Sequence, residues 1–162
     1  MPLAKRAWDV MDSNFETVTP ETLLKEACAI LIGHGPEKAG IPGLVVMRSS
    51  GEYLGLLTTK DVLKYMTHLY KRSKEQGGED WLTQLRYKCV DESLITVNDV
   101  LIRYEIYVRP SQKLHEVVRT MADHNLEMIP VADVGKILGV IRSTDILAEI
   151  ARSIYPSKGH SI

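Results

Sequence analysis

The chain alternates between helix-like and strand-like patterns of hydrophobic and polar positions. Apolar residues spaced three or four positions apart predict amphipathic helices in four stretches: 23–32, 62–70, 114–122 and 146–154. Short apolar runs predict strands at four places: 44–47, 53–57, 129–132 and 137–141. Turn-forming residues between neighbouring runs, at 49–51 and 133–135, predict two hairpins. The expected order is therefore helix, strand, strand, helix, and the chain contains it twice.

One nine-residue pattern occurs in both halves, at 55–63 and at 139–147. Each copy has a Gly, two aliphatic residues, three small polar or charged residues, and an Asp that begins a new apolar pattern. This order is typical of a buried strand that ends in a tight turn and leads into a helix. Val18 and Val108 are 90 residues apart but Asp61 and Asp145 are 84 apart, so the first copy contains six extra residues. The glycine- and proline-containing stretch 33–40 is the predicted insertion.

The repeat predicts both the domain organisation and an α/β (α+β) fold class. We expect repeat 1 at 1–70, a connector at 71–95, repeat 2 at 96–155 and a disordered tail at 156–162. Residues 81–87 of the connector are compatible with a short extra helix. Each repeat is expected to form a small, mostly hairpin-built sheet with helices packed on one side. Because one such unit is too small to bury both helix faces, the two repeats are expected to pack together.

Charge and length argue against several classes of partner. The net charge of the 162 residues is −1, so there is no overall basic field to attract nucleic acid or anionic membrane. The apolar runs are much shorter than the ~20 residues that span a bilayer. Asp9 and Asp12 interrupt any signal-peptide core near the start. We therefore expect a cytoplasmic protein with no nucleic-acid or membrane partner, in which Cys28 and Cys89 are reduced thiols.

The repeated turn carries groups that suit a nucleotide. The first backbone N–H groups of a helix are unpaired and lie at the positive end of its dipole, so they hold phosphate. A carboxylate in the same turn accepts hydrogen bonds from the two ribose hydroxyls. The alternative is purely structural: Thr58 or Thr59 caps the helix and Asp61 complements its dipole, contributing about 0.5–2 kcal/mol. The residues alone leave both interpretations open.

Other side chains give no indication of catalysis. The five histidines have no metal-ligand spacing with cysteine or carboxylate residues. No Ser or Cys has a recognisable base and orienting group. The stretch 33–38 lacks the Gly-Lys-Ser or Gly-Lys-Thr ending of a phosphate loop. We therefore expect no enzymatic activity, no metal and no required cofactor.

Taken in order, these motifs resemble those of the cystathionine-β-synthase (CBS) domain. They are the nine-residue pattern in both copies, Val-x-Pro at 18–20 and 108–110, and Ile-Pro-Val-x-Asp at 129–133. The resemblance covers about residues 5–155, and two such domains in tandem resemble a Bateman module. It implies two α/β repeats related by a pseudo-twofold axis, with clefts that bind AMP, ADP, ATP or S-adenosylmethionine. It also implies that two chains pair into a disc-shaped homodimer.

The resemblance further implies which residues bind the ligand. Thr58 and Asp61 match the turn that contacts ribose and phosphate, and Asp145 matches the ribose carboxylate of the second copy. Arg142 departs from the threonine of the pattern: it either pairs with a phosphate or fills and closes the cleft, while Ser143 is a substitute hydroxyl. The segments that frame the base and sugar match Thr17, Val18, Thr19, Tyr107, Val108 and Arg109. The wall of the adenine pocket matches Ile41, Pro42, Ile129 and Pro130.

Two functions are consistent with these residues. The first is a stand-alone regulatory or sensor module, which binds an adenosine-containing ligand between its repeats and signals to an effector protein. The second is a structural or dimerisation module with no physiological nucleotide, which the altered turn at Arg142 favours. Stabilisation by added nucleotide distinguishes the two.

Overall fold

The computed structural model describes residues 4–33, 40–75, 83, 95–101 and 106–155. By its internal contacts the chain divides into a first unit, residues 16–105, and a second unit, residues 1–15 with 106–162. Most of the predicted insertion, the possible helix at 81–87 apart from Thr83, Cys89 and the predicted tail at 156–162 lie outside the described residues.

The described residues form a mixture of helices and small sheets, which confirms the predicted α+β class. In chain order the elements are α1 (Ala7–Val10), β1 (Thr17–Val18), α2 (Leu24–Ile32), β2 (Gly43–Met47), β3 (Tyr53–Thr58), α3 (Thr59–Glu75), α4 (Val97–Val100), α5 (Leu114–Asp123), β4 (Met128–Asp133), β5 (Lys136–Arg142) and α6 (Ser143–Ile154). α3 continues to Glu75, beyond the predicted repeat boundary at residue 70, because Lys, Arg and Glu in this stretch are good helix formers.

The first unit is built on a three-stranded sheet with the order β1-β2-β3. β1 pairs parallel with β2, so that Thr17 lies opposite Val45. β2 and β3 form the predicted hairpin, with Leu44 opposite Leu57. The apolar sides of the sheet and of its helices form one core: Val18, Leu24, Ala27, Leu31, Leu44, Val46, Leu54, Leu57, Val62, Ile95, Val97 and Val100.

The second unit is built on the hairpin of β4 and β5, in which Ile129 lies opposite Ile141. Val108 makes a parallel bridge to Val131, and Asp12 makes an antiparallel bridge to Val140 on the other side of the hairpin. Its core contains Ala7, Val108, Val117, Met121, Ile129, Val131, Ile141 and Ile146. A segment from the start of the chain is therefore part of the structure built around the second repeat.

Each unit contains a short helix from the other sequence repeat. α1 lies in the second unit, where the backbone N–H of Ala7 donates to Gln112 O at 2.9 Å. α4 lies in the first unit, where the N–H of Val97 donates to Thr22 O at 2.8 Å. The contacts thus divide the chain after residues 15 and 105, whereas the sequence repeats are predicted to end at 70 and begin again at 96.

The strand registers locate the six extra residues of the first copy. Val46 and Val131 lie opposite Gly55 and Gly139 in their hairpins, so these two valines occupy equivalent positions and are 85 residues apart. The upstream valines of the repeat are 90 apart and the two glycines are 84 apart. Five extra residues therefore lie before β2, where the insertion was predicted, and one lies in the turn between β2 and β3.

Candidate functional site

An aspartate accepts a hydrogen bond from the backbone just before four of the described helices. In each case the carboxylate is on the third helical residue and the donor is the N–H of the residue that precedes the helix, an arrangement that satisfies an otherwise free donor. The pairs are Arg6–Asp9 (2.8 Å), Thr58–Asp61 (2.9 Å), Thr96–Asp99 (2.8 Å) and Arg142–Asp145 (2.9 Å). Capping therefore explains why Asp recurs, and a ligand site requires a feature beyond the cap.

The cap between Thr58 and Asp61 has such a feature. Thr58 Oγ1 also donates to Asp61 Oδ2 at 2.8 Å, and the N–H of Asp61 donates back to Thr58 Oγ1 at 3.2 Å, bonds that the Thr96–Asp99 cap makes as well. The feature that distinguishes it is burial: Asp61 is only 6% exposed and is the one buried charged side chain among the described residues, whereas Asp99 is exposed. Both bonds to its carboxylate end on Oδ2, so Oδ1 takes no part in them. We call Thr58, Asp61 and the first turn of α3 the Thr58–Asp61 corner.

The structure brings part of the predicted first site to this corner. The N–H of Thr59 donates to Pro42 O at 3.3 Å, and Gly43 lies opposite Thr58, so the start of β2 adjoins the corner. The neighbouring Ile41 is anchored to the end of α2, because its N–H donates to Leu31 O at 3.0 Å. Pro42, Thr58 and Asp61 are thus neighbours in the first unit.

The predicted residues Thr17 and Val18 form β1 of the same sheet, and Thr19 follows them directly. Thr17, Val18 and Thr19 line a cavity of about 430 Å³ together with Met47 and Arg48, at the far end of β2 from the corner. Val18 is buried in the core. Thr17, opposite Val45, is two positions along β2 from Gly43 at the corner, and Val18 and Thr19 continue toward the Met47 end.

In the second unit the equivalent corner contains an ion pair. Arg142 Nη1 lies 3.1 Å from Asp12 Oδ2 and 3.9 Å from Asp145 Oδ2. The backbone N–H of Asn14 and the guanidinium of Arg142 both stabilise the Asp12 carboxylate, and they lower the pKa of Asp12 below its ordinary value. Ser143 lies in the same turn, and its N–H donates to Glu127 O at 2.9 Å. Arg142 is thus engaged by two carboxylates of its own chain.

The remaining predicted residues of the second repeat are held mainly through their backbone. The N–H of Val108 donates to Pro130 O at 2.9 Å, and the N–H of Arg109 donates to Gln112 Oε1 at 2.8 Å. Tyr107 is exposed, whereas Ile129 is fully buried in the core of the second unit. Ile129 is therefore part of the hydrophobic core, whereas the resemblance implied that it lines a pocket.

The predicted correspondence between Ile41-Pro42 and Ile129-Pro130 is wrong. Pro42 O accepts the N–H that begins α3, and Glu127 O accepts the N–H that begins α6, so Pro42 corresponds to Glu127. By the same register Ile129 and Pro130 correspond to Leu44 and Val45, inside the strand. The error arose because five extra residues precede β2 in the first copy. An Ile-Pro dipeptide occurs in this lengthened segment, but its position is not equivalent to that of Ile129-Pro130.

The sequence did not indicate that Asp12 belongs to the second corner. Nothing in the sequence pairs Asp12 with Arg142, since they belong to different repeats.

Among the described residues, no cluster of His, Cys, Asp or Glu is arranged to hold a metal ion. None of the described helices combines the length and apolar character needed to cross a bilayer.

Comparison with known families identifies one matching domain. The sequence model of the family described as CBS domain matches residues 7–68 and 97–152. The chain is 21% identical over 139 residues to the uncharacterized protein MJ1225 of Methanocaldococcus jannaschii, which is 86% of this chain and 40% of that protein. It is 29% identical over 153 residues to the methylated protein MJ0556 of the same organism, covering 92% of this chain and 75% of that protein. The chain thus spans less than half of the first of these relatives.

Solved structures share the fold at low sequence identity. CBSX2, solved in complex with AMP, has a TM-score of 0.66 and 19% identity over 92% of this chain and 98% of that chain. The CBS domain pair of protein MJ0100 was solved in complex with 5′-methylthioadenosine and S-adenosyl-L-methionine. It has a TM-score of 0.67 and 18% identity over 93% of this chain and 98% of that chain. Both similarities extend over nearly the whole chain, so they agree with a repeated α+β fold.

Proposed function

Because the chain belongs to the CBS domain family and carries two copies of the domain, we propose that it is a regulatory module that binds an adenosine-containing ligand. The ligand is AMP, ADP, ATP or S-adenosylmethionine, and its presence is signalled to a partner protein. The coupling is a population shift, in which the ligand favours one of two arrangements of the protein by its differential affinity for them.

The observation that carries this proposal is the buried carboxylate at the Thr58–Asp61 corner. Burying a charged group is costly unless it is paired or hydrogen-bonded, and Asp61 is the buried charged side chain of the described residues. The exposed Asp99 makes the same cap to Thr96, which illustrates the difference. Asp61 Oδ1 lies outside the cap, and a carboxylate oxygen is a suitable acceptor for vicinal ribose hydroxyls.

The helix that follows supports the same ligand class. α3 has 17 residues, and its first-turn N–H groups and dipole favour a negative group at this end. A ligand with a ribose and a phosphate or other polar group next to it uses both features. The relatives solved with AMP or with S-adenosyl-L-methionine support adenosine compounds as the first ligands to test.

Thermal unfolding of the full chain with AMP, ADP, ATP and S-adenosylmethionine tests the proposal. A ligand at about 100 times its Kd adds about 2.7 kcal/mol, which raises Tm by roughly 5–10 °C. The shift should disappear in Asp61→Ala and persist in Asp99→Ala, because both variants lose a cap in the same unit but only one alters the corner. A shift that is equal in the two variants, or absent with every compound, would contradict the proposal.

A homodimer is part of this proposal and rests on the family pattern. Leu63 and Leu147 occupy the same position in the two repeats, and they are 61% and 62% exposed. Two equivalent apolar side chains on the surface favour burial against a second chain. Sedimentation of the natural chain and of Leu63→Ser and Leu147→Ser tests it.

The second candidate function is a structural interaction module without a nucleotide. It is favoured by Arg142, whose ion pairs with Asp12 and Asp145 occupy the second corner. It predicts no ligand-dependent change in Tm for the natural chain, and the thermal experiment decides between the two.

A further inference from the structure

A groove in the second unit gathers cationic and apolar side chains away from the Arg142 corner. The groove has a volume of about 620 Å³, and three elements line it: the start of the chain, the beginning of α5 and the second half of α6. We define this basic groove by Lys5, Lys113, Leu114, Glu149, Ile150 and Arg152. We propose that it is the docking site for an acidic segment of a partner protein that also carries apolar side chains.

The charge of the groove differs from that of the chain. Its three cationic side chains and one carboxylate give a local charge of +2 without His115, which also lines it, whereas the whole chain has a net charge of −1. A positive groove on a nearly neutral protein is not a consequence of overall composition. It provides charge complementarity to an acidic partner and increases the rate of encounter.

One carboxylate holds two of the cations in place. Glu149 is 13% exposed in its side chain, and its Oε2 lies 2.8 Å from Lys5 Nζ while its Oε1 lies 3.0 Å from Arg152 Nη1. Side chains that are already ordered lose less conformational entropy when a partner binds. The ammonium and guanidinium groups have donors beyond those used by Glu149, and these are available to carboxylates of a bound segment.

The apolar residues decide between a protein segment and a small inorganic anion. Leu114 is partly buried in the groove, and Ile150 is 47% exposed there. Binding of phosphate to the cations alone would leave this apolar surface in water. An acidic segment with an intervening leucine or similar residue covers it, which adds hydrophobic stabilisation to the charge pairing. The observations therefore favour a peptide over a free anion.

The backbone around the groove is well tied, so the surface is preformed. The N–H of Leu114 donates to Lys5 O at 3.0 Å, and Arg6 makes an antiparallel bridge to Lys113. These contacts fix the start of the chain against the beginning of α5. A preformed groove supports binding without a costly rearrangement.

Fluorescence anisotropy with the full chain and a labelled peptide tests the proposal. The probe alternates Glu or Asp with Leu, and a peptide that alternates Lys with Leu is its control. We expect Arg152→Glu and Lys113→Glu each to weaken binding of the acidic peptide at least tenfold. Arg119→Glu makes the same charge change on an exposed position of α5 outside the groove and should change binding less than twofold.

A second pair of matched variants tests the apolar residues of the groove. Ile150→Ser should weaken binding several-fold, whereas Ile154→Ser, on the same helix but outside the groove, should leave it unchanged. Equal binding by all the variants, or no binding of the acidic peptide by the natural chain, overturns the proposal. Loss of an AMP or phosphate interaction in Arg152→Glu without peptide binding also overturns it and assigns a small-anion site. A change of oligomeric state in the groove variants overturns it in favour of an interface between copies.

The inference rests on the proposed function for the idea that a partner exists, and because Ile150 lies one turn after Leu147 on α6, the oligomeric state of each groove variant is measured beside peptide binding. The peptide measurements are made without nucleotide, and the groove variants do not alter the Thr58–Asp61 corner. Failure of peptide binding with a retained nucleotide shift rejects the groove alone, and the reverse result rejects the proposed ligand alone.

Discussion

Asp12 and Arg142 are 130 residues apart in the chain, yet Arg142 Nη1 lies 3.1 Å from Asp12 Oδ2. Their neighbours are joined as well, because the backbones of Asp12 and Val140 exchange hydrogen bonds of 2.8 and 3.0 Å. The pair ties the start of the chain to the turn between β5 and α6. At the same position of the first repeat, the side-chain hydroxyl of Thr58 bonds to Asp61. Arg142 keeps the backbone cap to Asp145 at 2.9 Å, and its side chain adds a long-range contact where the first repeat has only a local hydroxyl bond.

The Asp12–Arg142 pair predicts a pH-dependent contribution to stability. Asp12→Asn should lower the free energy of unfolding at pH 7 by about 0.2–1 kcal/mol, because the pair is partly exposed to solvent. The Asn14 N–H and Arg142 lower the pKa of Asp12 in the folded protein. A lowered pKa stabilises the fold above the unfolded value, about 4, and this contribution is lost as pH falls through the folded value.

Urea unfolding of the two proteins at pH 7 and at about pH 2 checks this prediction. The difference between them should be present at the higher pH and absent at the lower one. A difference that persists in acid would mean that Asn disturbs the segment for a reason other than charge.

Gly139 is predicted to be required for the approach of the start of the chain. A Cβ at this position would lie 2.8 Å from Asp12 O and 3.2 Å from Met11 Cγ. Gly139→Ala should therefore destabilise the fold by about 1–3 kcal/mol, as overpacking does. The same substitution in a Met11→Ala background separates the two contacts. Because the backbone oxygen cannot move without breaking its bridge to β5, most of the cost should remain in that background.

Arg142→Thr tests whether the arginine closes the second corner. The variant restores the threonine of the repeated pattern, and it removes the ion pair with Asp12. With AMP as the titrant in calorimetry, we expect the number of sites per chain to rise from about one to about two. A variant that binds less AMP than the natural chain would instead identify Arg142 as a phosphate ligand.

Local features of the structure could be predicted from the sequence. The periodicity indicated the helices and hairpins, and the repeated pattern placed Asp61 and Asp145 in the first turn of a helix. These features depend on residues a few positions apart, where spacing and capping preferences act directly. The Ile-Pro correspondence failed because residues inserted before β2 shift the register without changing any local pattern.

Contacts between distant segments could not be predicted in the same way. α1 and α4 have four residues each, too few for a periodic pattern, and bridges to Lys113 and to Leu23 accompany their placement in the two units. The pairing of Asp12 with Arg142 likewise depends on where the start of the chain lies in space. A charge in a sequence has many potential partners, and only the tertiary fold selects one.

The turn between β4 and β5 stores backbone strain that a substitution can remove. Val134 and Gly135 are the two residues of this turn, since Asp133 lies opposite Lys136, and their φ angles are 49° and 74°. Positive φ at both positions defines a type I′ turn, which favours Asn followed by Gly. A β-branched residue with positive φ is unfavourable, and Val134 is 97% exposed, so no packing compensates for it.

Val134→Asn should therefore stabilise the protein by about 1 kcal/mol, because Asn adopts the left-handed conformation more easily and the side chain loses no buried contact. Chemical denaturation should show a higher midpoint with an unchanged slope, since the area exposed on unfolding is nearly the same. Val134→Thr is the matched control: it makes the exposed side chain polar but keeps the β-branch, so its stability should equal that of the natural chain. Equal stabilisation by Thr and Asn would attribute the gain to surface polarity and contradict the role of backbone strain.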